Sequence, residues 1–332
     1  MEKETILKQA DVSAILAHYD LGRLQTVVPL TAGTVQANIL LETAQGKFVL
    51  RYYKQNRTFA AVCFEVDLIN YLTRRHYPCP AVVPDRQGNF VGRYNERPYA
   101  LFVFVEGAHV EQPTAAQYRQ LIEKVAELQR ITQHYQPVYV EDRWNYDVPF
   151  CERMATERAT RLATPNAAAK LAWYRQTLAT LELPDTHPKG VCHCDFHFSN
   201  VLFKAGNFHA LLDFDDANYT YLTFDLIALI ESSLFRFRWD SWQTVQPGDD
   251  VFDFAEAKEI IVTYQTVRPL STVEKHHLFD VLKLATLIDC LWFFERGAAE
   301  NFYERRKIDC LDALGRTAFT QHLFAANESP GR

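Results

Sequence analysis

Apolar and polar residues alternate along several short stretches between residues 24 and 53. The patterns at residues 24–30, 37–43 and 47–53 are typical of strands that bury one face, since successive side chains of a strand point to opposite sides. Gly46 lies between the last two stretches and favours a turn there. A continuous apolar run at 99–105 is typical of a buried central strand. A small antiparallel sheet is therefore predicted near the start of the chain.

Other segments repeat their apolar residues with the period of an amphipathic helix. Helices are predicted at 10–20, 58–74, 114–132, 155–181 (one or two helices), 222–234, 250–267 and 274–294. The apolar stripe of the helix at 58–74 contains one acid, Glu65. Because a buried carboxylate is costly unless it is paired, we expect Arg51, on the preceding strand, to be its partner.

Composition narrows the class of protein. With 332 residues, 48% of them hydrophobic and 23% charged, the chain can form one large or two modest domains with a sizeable core. Its net charge of -6 argues against a nucleic-acid binder. The seven cysteines form no C-x-x-C pair, the first residues are polar, and no apolar run has the ~18 residues of a membrane span. We therefore expect a cytoplasmic protein without a membrane segment.

The most informative stretch is 191–218, in which His193, Asp195 and Asn200 stand in the order H-x-D-x-x-x-x-N. Two apolar runs follow, separated by a predicted Gly206-Asn207 turn, and the second run ends in Asp213. Such a hairpin would bring Asp195, Asn200 and Asp213 together. A carboxylate base and two oxygen ligands for Mg²⁺ are the groups that phosphoryl transfer requires.

Two other interpretations of this stretch remain open. His193, Asp195 and His197 alternate, so on a strand they would share one face and could bind zinc in a hydrolase. The stretch could also be a polar loop with ordinary turn acids. Neither alternative accounts for Asn200 or for the acidic end of the hairpin.

The stretch resembles the catalytic core of the protein-kinase-like small-molecule phosphotransferases, the family of aminoglycoside phosphotransferases, choline kinases and type II homoserine kinases. The resemblance includes a later Asp225-Leu226-Ile227-Ala228 segment. Residues 49–53, 188–191 and 268–274 are similar to type II homoserine kinases in particular. The A-P-E motif of protein kinases does not follow, which argues against a protein substrate.

The resemblance implies an α+β, bilobal protein-kinase-like fold. Residues 1–105 would form an N-terminal, nucleotide-binding lobe with an antiparallel sheet and one helix. Residues 106–332 would form a mostly helical C-terminal lobe that carries the catalytic hairpin and the acceptor site. The implied cofactors are ATP and Mg²⁺.

The resemblance also implies a role for individual residues. Asp195 would be the catalytic base, Asn200 and Asp213 the metal ligands, and His193 and Asp225 the supports of the loop. The implied nucleotide-binding residues are Gly33, Arg51, Glu65, Phe104, Val105 and Glu106.

The acceptor side departs from the homoserine kinase pattern at His197-Phe198 and at Asp213-Phe214-Asp215-Asp216. His197, Asp215 and Asp216 are therefore candidate acceptor contacts, and the two acids would suit a cationic or polyhydroxylated acceptor. An acceptor carboxylate would need a cation, for which Arg236, Arg238 and Arg296 are candidates.

The predicted function is transfer of the γ-phosphate of ATP to a hydroxyl of a small metabolite, with homoserine as the first choice. An aminoglycoside, choline or sugar kinase, or a catalytically silent nucleotide-binding protein of the same fold, is the alternative. No nucleic-acid or membrane partner is expected, and the sequence leaves the oligomeric state open.

Overall fold

The computed structural model describes residues 7–30, 37–53 and 57–325. The first elements are α1 (Gln9–Leu16), β1 (Leu24–Leu30), β2 (Ala37–Thr43), β3 (Gly46–Tyr52), α2 (Phe59–Thr73), β4 (Gly92–Tyr94), β5 (Arg97–Val103) and α3 (Ala115–Thr132). The later elements are α4 (Val148–Leu162), α5 (Pro165–Leu178), β6 (Lys189–Cys192), β7 (Val201–Lys204), β8 (Asn207–Leu211), β9 (Asn218–Tyr221), α6 (Phe224–Leu234), α7 (Phe254–Gln265), α8 (Thr272–Trp292), α9 (Tyr303–Leu314) and α10 (Arg316–Phe324).

The chain divides into two compact units whose segments alternate along the sequence. Unit 1 contains Met1–Pro113, Gln136–Arg143 and His197–Asp216. Unit 2 contains Thr114–Tyr135, Trp144–Phe196 and Ala217–Arg332. The hairpin β7–β8, assigned to the C-terminal lobe by resemblance, thus belongs to unit 1 with the sheet.

Unit 1 is built on a five-stranded antiparallel sheet in the order β1-β2-β3-β5-β4. Alternate residues of its strands, such as Leu41 and Leu50, pack with Val12 and Ile15 of α1 in a buried cluster. Because side chains alternate along a strand, Arg51 of β3 points to the other face. The sheet therefore keeps its core on one side and presents Arg51 on the other.

Helix α2 begins at a capped end. The Thr58 side chain accepts a hydrogen bond from the Ala61 N–H at 3.1 Å, which satisfies one of the free donors of the first turn. The predicted stripe is buried, and Glu65 on it is 1% exposed.

The catalytic hairpin turns one residue earlier than predicted. Lys204 pairs with Asn207, so the two central turn residues are Ala205 and Gly206, with φ of 51° and 79°. A two-residue hairpin turn of this kind needs positive φ at both central positions. The Gly206-Asn207 prediction was wrong because it read the glycine as the first turn residue, whereas alanine takes that place.

In unit 2, β6 and β9 pair antiparallel, and β6 packs closely on α3. The Thr132 hydroxyl at the end of α3 donates to the Val191 carbonyl at 2.7 Å. A Cβ added at Gly190 would lie 2.5 Å from Leu222 Cδ2 and 3.1 Å from the Thr132 carbonyl oxygen. Glycine at this position lets the strand that leads to His193 lie against the helix.

Most element predictions were within a few residues, but the middle and end of the chain differ. The segment predicted at 155–181 is two helices, separated at Ala163, which has a φ of 51°, and Pro165. Helix α4 starts earlier than predicted because Asp147 caps it. Helices α9 and α10 were not predicted. In the described part of the chain, no helix has the length and apolar character needed to span a membrane.

Substituting Gly190→Ala tests the close packing of β6. We expect the free energy of unfolding to fall by about 1–3 kcal/mol, because the added methyl group has no room. Chemical denaturation measures the change. In a Leu222→Ala background the same substitution should cost less, because Leu222 supplies the nearest clash. An equal cost in both backgrounds would contradict this explanation.

Candidate active site

A cavity of about 320 Å³ lies within unit 1, between the open face of the sheet and the hairpin. Its apolar lining includes Leu30, Val49, Phe102, Leu202 and Leu212. Its charged lining consists of Arg51, Glu65 and Asp213. The cavity therefore combines apolar walls, which suit a flat ring, with a charged end, which suits a phosphate group.

Arg51 is held at the charged end by three oxygen atoms. Its Nη1 atom lies 3.0 Å from Glu65 Oε1 and 3.2 Å from Asp213 Oδ1. Its Nε donates to Asn38 Oδ1 at 3.2 Å, since the register of β2 and β3 sets Asn38 opposite Arg51. The expected Arg51–Glu65 pair is present, and Arg51 is fixed in orientation with a side chain 13% exposed.

The electrostatics of this pair reflect its burial. Burial raises the pKa of Glu65 to about 7, although Arg51 lowers it and Asp215 raises it further. For Arg51, burial alone would lower the pKa, but Glu65, Tyr53, Asp213 and Asp215 together outweigh it and the pKa is raised. Arg51 is therefore always cationic, whereas Glu65 titrates near neutral pH.

The base of the hairpin places Asn200 and Asp213 in one region of unit 1. Leu212, the residue before Asp213, donates its N–H to the Asn200 carbonyl at 2.7 Å. Asp213 has a φ of 59°, a left-handed conformation that aspartate tolerates better than most residues. Its side chain is 45% exposed. Asn200 and Asp213 could therefore supply an amide and a carboxylate oxygen to a hard cation such as Mg²⁺.

The residues after Asp213 are tied to the start of α2. Asp215 is buried, and its Oδ2 lies 2.5 Å from Arg57 Nη2, just before the Thr58 cap. Arg143 donates to the Asp215 carbonyl at 2.6 Å and to the Ala61 carbonyl at 3.3 Å. The contacts of Arg57 and Arg143 were not predicted from the sequence, because neither residue stands in a periodic pattern or a motif. Together they join the helix that carries Glu65 to the segment that carries Asp213.

The loop that carries Asp195 belongs to unit 2 and is supported by Asp225. The Asp225 carboxylate, fully buried, accepts from the His193 N–H at 2.9 Å and the Cys194 N–H at 2.8 Å. Burial raises the pKa of Asp225, while His193 and these N–H donors oppose the rise. His193 Nδ1 in turn accepts from the Asp195 N–H at 3.3 Å. The backbone on both sides of Cys194 is therefore held in place.

The strand geometry needed for the zinc interpretation is absent. Strand β6 ends at Cys192, and Cys194 has a φ of 63°. A left-handed residue breaks the alternation of a strand, so His193, Asp195 and His197 do not follow one strand face.

A buried polar chain continues from this loop through unit 2. Gln129 accepts a hydrogen bond from the Tyr264 hydroxyl, and Arg268 Nη1 donates to that hydroxyl at 2.9 Å. Arg268 also pairs with Glu274 at 2.5 Å. Gln129 itself lowers the pKa of Asp225 through a side-chain hydrogen bond. This series of buried polar contacts therefore connects Glu274, near the start of α8, to Asp225, which supports the loop that carries Asp195.

Glu274 closes the cap of α8. Its side chain accepts from the Ser271 N–H at 2.9 Å, while the Ser271 hydroxyl accepts from the Glu274 N–H. The cap explains the spacing of Ser271 and Glu274, and the ion pair with Glu274 explains Arg268 in the same segment.

The other predicted site residues have the following positions. Phe104 and Val105 line the cavity, and the Phe104 N–H donates to the Lys47 carbonyl at 3.1 Å. Glu106 is exposed and pairs with Lys204 at 3.3 Å. His197 Nδ1 lies 2.6 Å from the Ser199 hydroxyl. Gly33 lies outside the described residues.

Two further acceptor candidates lie in different units. Asp216 is partly buried at the end of unit 1. Arg236 is in unit 2 and forms an exposed pair with Asp250 at 2.5 Å. Their contacts with an acceptor, like those of His197 and Asp215, stay predictions.

Comparison with known proteins decides the family. The model of the phosphotransferase enzyme family matches residues 26–270. The chain belongs to this family. The matched region includes the residues of the cavity, the hairpin and the Asp225 segment.

The chain is also similar to proteins named homoserine kinase along nearly its whole length. It is 28% identical to a homoserine kinase of Rhodospirillum rubrum over 312 residues, which cover 93% of this chain and 88% of the relative. It is 27% identical to a homoserine kinase of a Chelativorans species, with 92% and 87% covered. These likenesses confirm that the protein is a small-molecule kinase.

Solved structures of phosphotransferases share the fold. An amicoumacin kinase in complex with AMP-PNP and Ca²⁺ is similar with a TM-score of 0.61 and 16% identity, covering 95% of this chain and 94% of that one. A microcompartment-associated aminopropanol kinase is similar with a TM-score of 0.58 and 17% identity, covering 95% and 97%. The predicted α+β, protein-kinase-like fold is confirmed.

The titration of Glu65 predicts a pH dependence of stability. Between pH 4.5 and about 7 the unfolded chain has lost the Glu65 proton and the folded phosphotransferase retains it. The free energy of unfolding should therefore fall by roughly 3 kcal/mol as the pH rises through this window, relative to Glu65→Gln. Above pH 7 the difference should be constant. Denaturation curves at a series of pH values measure it.

An exposed acid provides the control for this prediction. Glu157 of α4 is exposed, so Glu157→Gln should keep the pH profile of the wild type. If Glu65→Gln also kept that profile, Glu65 would not be the titrating group.

Proposed function

We propose that the protein transfers the γ-phosphate of ATP to the hydroxyl of homoserine, with Mg²⁺ as the metal. The observation that carries the choice of acceptor is the similarity to relatives named homoserine kinase over 93% of the chain. The similarity of residues 49–53, 188–191 and 268–274 to type II homoserine kinases agrees with it.

In this proposal unit 1 binds the nucleotide. Val49 and Phe102 of the sheet and Leu202 and Leu212 of the hairpin region line a slot for the adenine ring. Arg51 binds phosphate oxygens, because a guanidinium held by Glu65 offers its donors in a fixed direction.

Asn200 and Asp213 are the proposed metal ligands. Their amide and carboxylate oxygens are the donor types that Mg²⁺ prefers. The ion, when bound, would neutralise charge on the phosphate groups. Asp213 also contacts Arg51 through Oδ1, so the proposed metal ligand lies beside the proposed phosphate-binding cation.

Asp195 is the proposed general base. Asp225 fixes the backbone of its loop through two hydrogen bonds, and from this loop the Asp195 carboxylate would accept the acceptor's hydroxyl proton. His193 supports the loop through the Asp195 N–H and takes no chemical step.

Homoserine has an ammonium and a carboxylate group beside its hydroxyl. We propose that Asp216 and His197 lie near the ammonium and that Arg236 is a candidate for the carboxylate. Asp215 is already paired with Arg57, so its part is to position the segment that carries Asp213.

The cellular compartment is also proposed. The described cysteines are free thiols, and three of the seven are only partly buried. Free thiols suit a reducing compartment, which agrees with a cytoplasmic enzyme.

The experiment that tests the proposed function is acceptor-dependent release of ADP. Homoserine, aminoalcohols, aminoglycosides and sugars are compared in the presence of Mg·ATP. We expect homoserine to give the largest kcat/KM. A larger value for an aminoalcohol or a sugar would contradict the acceptor, and ADP release that no acceptor stimulates would favour the silent alternative.

The base is tested with Asp195→Asn, which keeps the shape of the side chain and removes its basicity. We expect kcat to fall by about 10²–10⁴-fold, with the affinity for ATP within a few-fold of wild type. Asp185→Asn, in an exposed part of the same unit, is the matched control and should retain full turnover. Undiminished kcat in Asp195→Asn would exclude Asp195 as the base.

A further inference from the structure

A second group of metal-binding side chains lies in unit 2, outside the site described above. Glu182, His276 and His277 each offer one ligand atom, and these atoms lie within 4.8 Å of one another. Glu182 belongs to the segment between α5 and β6, and the two histidines lie in the second turn of α8. Residues far apart in the sequence are thus brought to one place by the fold.

The donor set selects a class of metal. Imidazole nitrogen suits zinc and its neighbours in the first transition row, whereas Mg²⁺ and Ca²⁺ prefer oxygen alone. Zn²⁺ binds histidine and carboxylate ligands at about 2.0–2.2 Å, so small side-chain rotations would bring the three ligand atoms around one ion. Three protein ligands leave a further position for water.

His277 has a neighbour of the kind that orients metal-binding histidines. Its Nδ1 atom is buried and has no hydrogen-bond partner in the described part of the chain. The nearest carboxylate oxygen, Asp280 Oδ2, lies 3.8 Å away, and Asp280 is fully buried. A histidine that binds a metal through one nitrogen commonly donates from the other to a carboxylate. Asp280 is placed to accept that bond when Nε2 binds the metal.

Arg316 is the cation that a metal ion would face. It binds Glu182 Oε1 at 2.8 Å and Asp280 through both carboxylate oxygens, at 2.8 and 2.9 Å. The carboxylates of Glu182 and Asp280 carry two negative charges and Arg316 carries one positive charge, so this cluster has a net charge of about -1 when both acids are ionised. Since Arg316 binds Glu182 through Oε1, the second oxygen is the donor for a metal.

We propose that Glu182, His276 and His277 form a Zn²⁺ site, with Asp280 orienting His277. By binding Glu182 together with His276 and His277, the ion would connect the segment before β6 to the beginning of α8. That segment leads directly into β6 and then to the loop that carries Asp195, and α8 begins at the Ser271–Glu274 cap. Binding of Zn²⁺ at this site therefore stabilises the folded state, because the unfolded chain does not hold the ligands together.

The test uses Co²⁺ as a spectroscopic probe of the full-length protein, in excess Mg²⁺ to occupy oxygen sites. We expect one equivalent of Co²⁺ to give visible absorption bands that Zn²⁺ abolishes by displacement, and Zn²⁺ to raise Tm. His276→Ala and Glu182→Gln should each weaken Co²⁺ binding at least about tenfold. Both residues are exposed, so Tm measured without metal should stay close to that of the wild type.

Two control variants separate this site from other metal binding. His322→Ala removes an exposed histidine of α10, and Asp213→Asn removes a proposed ligand of the active site. Both should keep the Co²⁺ bands and the affinity of the wild type. The proposal is overturned if the wild type shows no bands, or if the bands survive unchanged in His276→Ala and Glu182→Gln. None of these outcomes depends on the proposed acceptor or on kinase activity.

Discussion

The buried ion pair between Arg51 and Glu65 is the interaction on which the rest of the site depends. Arg51 lies on the sheet face opposite the hydrophobic cluster, and Glu65 is the acid on the buried side of α2. Burial disfavours the ionised form of Glu65 and so raises its pKa. A buried pair of this kind contributes little net stability. Its value lies in fixing one guanidinium at the charged end of a cavity.

Other contacts hold each partner of this pair in place. Arg57 and Arg143 join the start of α2 to the Asp215 segment, so the position of Glu65 is coupled to that of Asp213. In unit 2, Asp225 holds the catalytic loop, and the polar chain through Gln129 and Tyr264 leads on to Arg268. In each unit, buried polar contacts fix the backbone beside a proposed catalytic group.

The sequence predicted the features that depend on a hydrophobic period or on a motif, such as the strands, the helices and the catalytic stretch. Alternation predicted the strand that carries Arg51, and helical period identified Glu65 as an acid on a buried stripe. The contacts of Arg57 and Arg143 could not be predicted from these patterns. Arg57 pairs with the side chain of Asp215, and Arg143 donates to carbonyl groups that are distant in the sequence. The hairpin turn was misplaced by one residue, because alanine takes a left-handed conformation that composition does not predict. The cluster of Glu182, His276 and His277 could not be predicted either, since its residues come from two distant segments.

The central claim is that Arg51, oriented by Glu65, binds the phosphates of the nucleotide. It is tested most directly by titration calorimetry of ATP and adenosine with the double variant Arg51→Gln, Glu65→Gln, which leaves no unpaired buried charge. We expect the affinity for ATP to fall by about tenfold or more, while adenosine, which has no phosphate, binds as to the wild type. An unchanged affinity for ATP, or an equal loss for adenosine, would contradict the account.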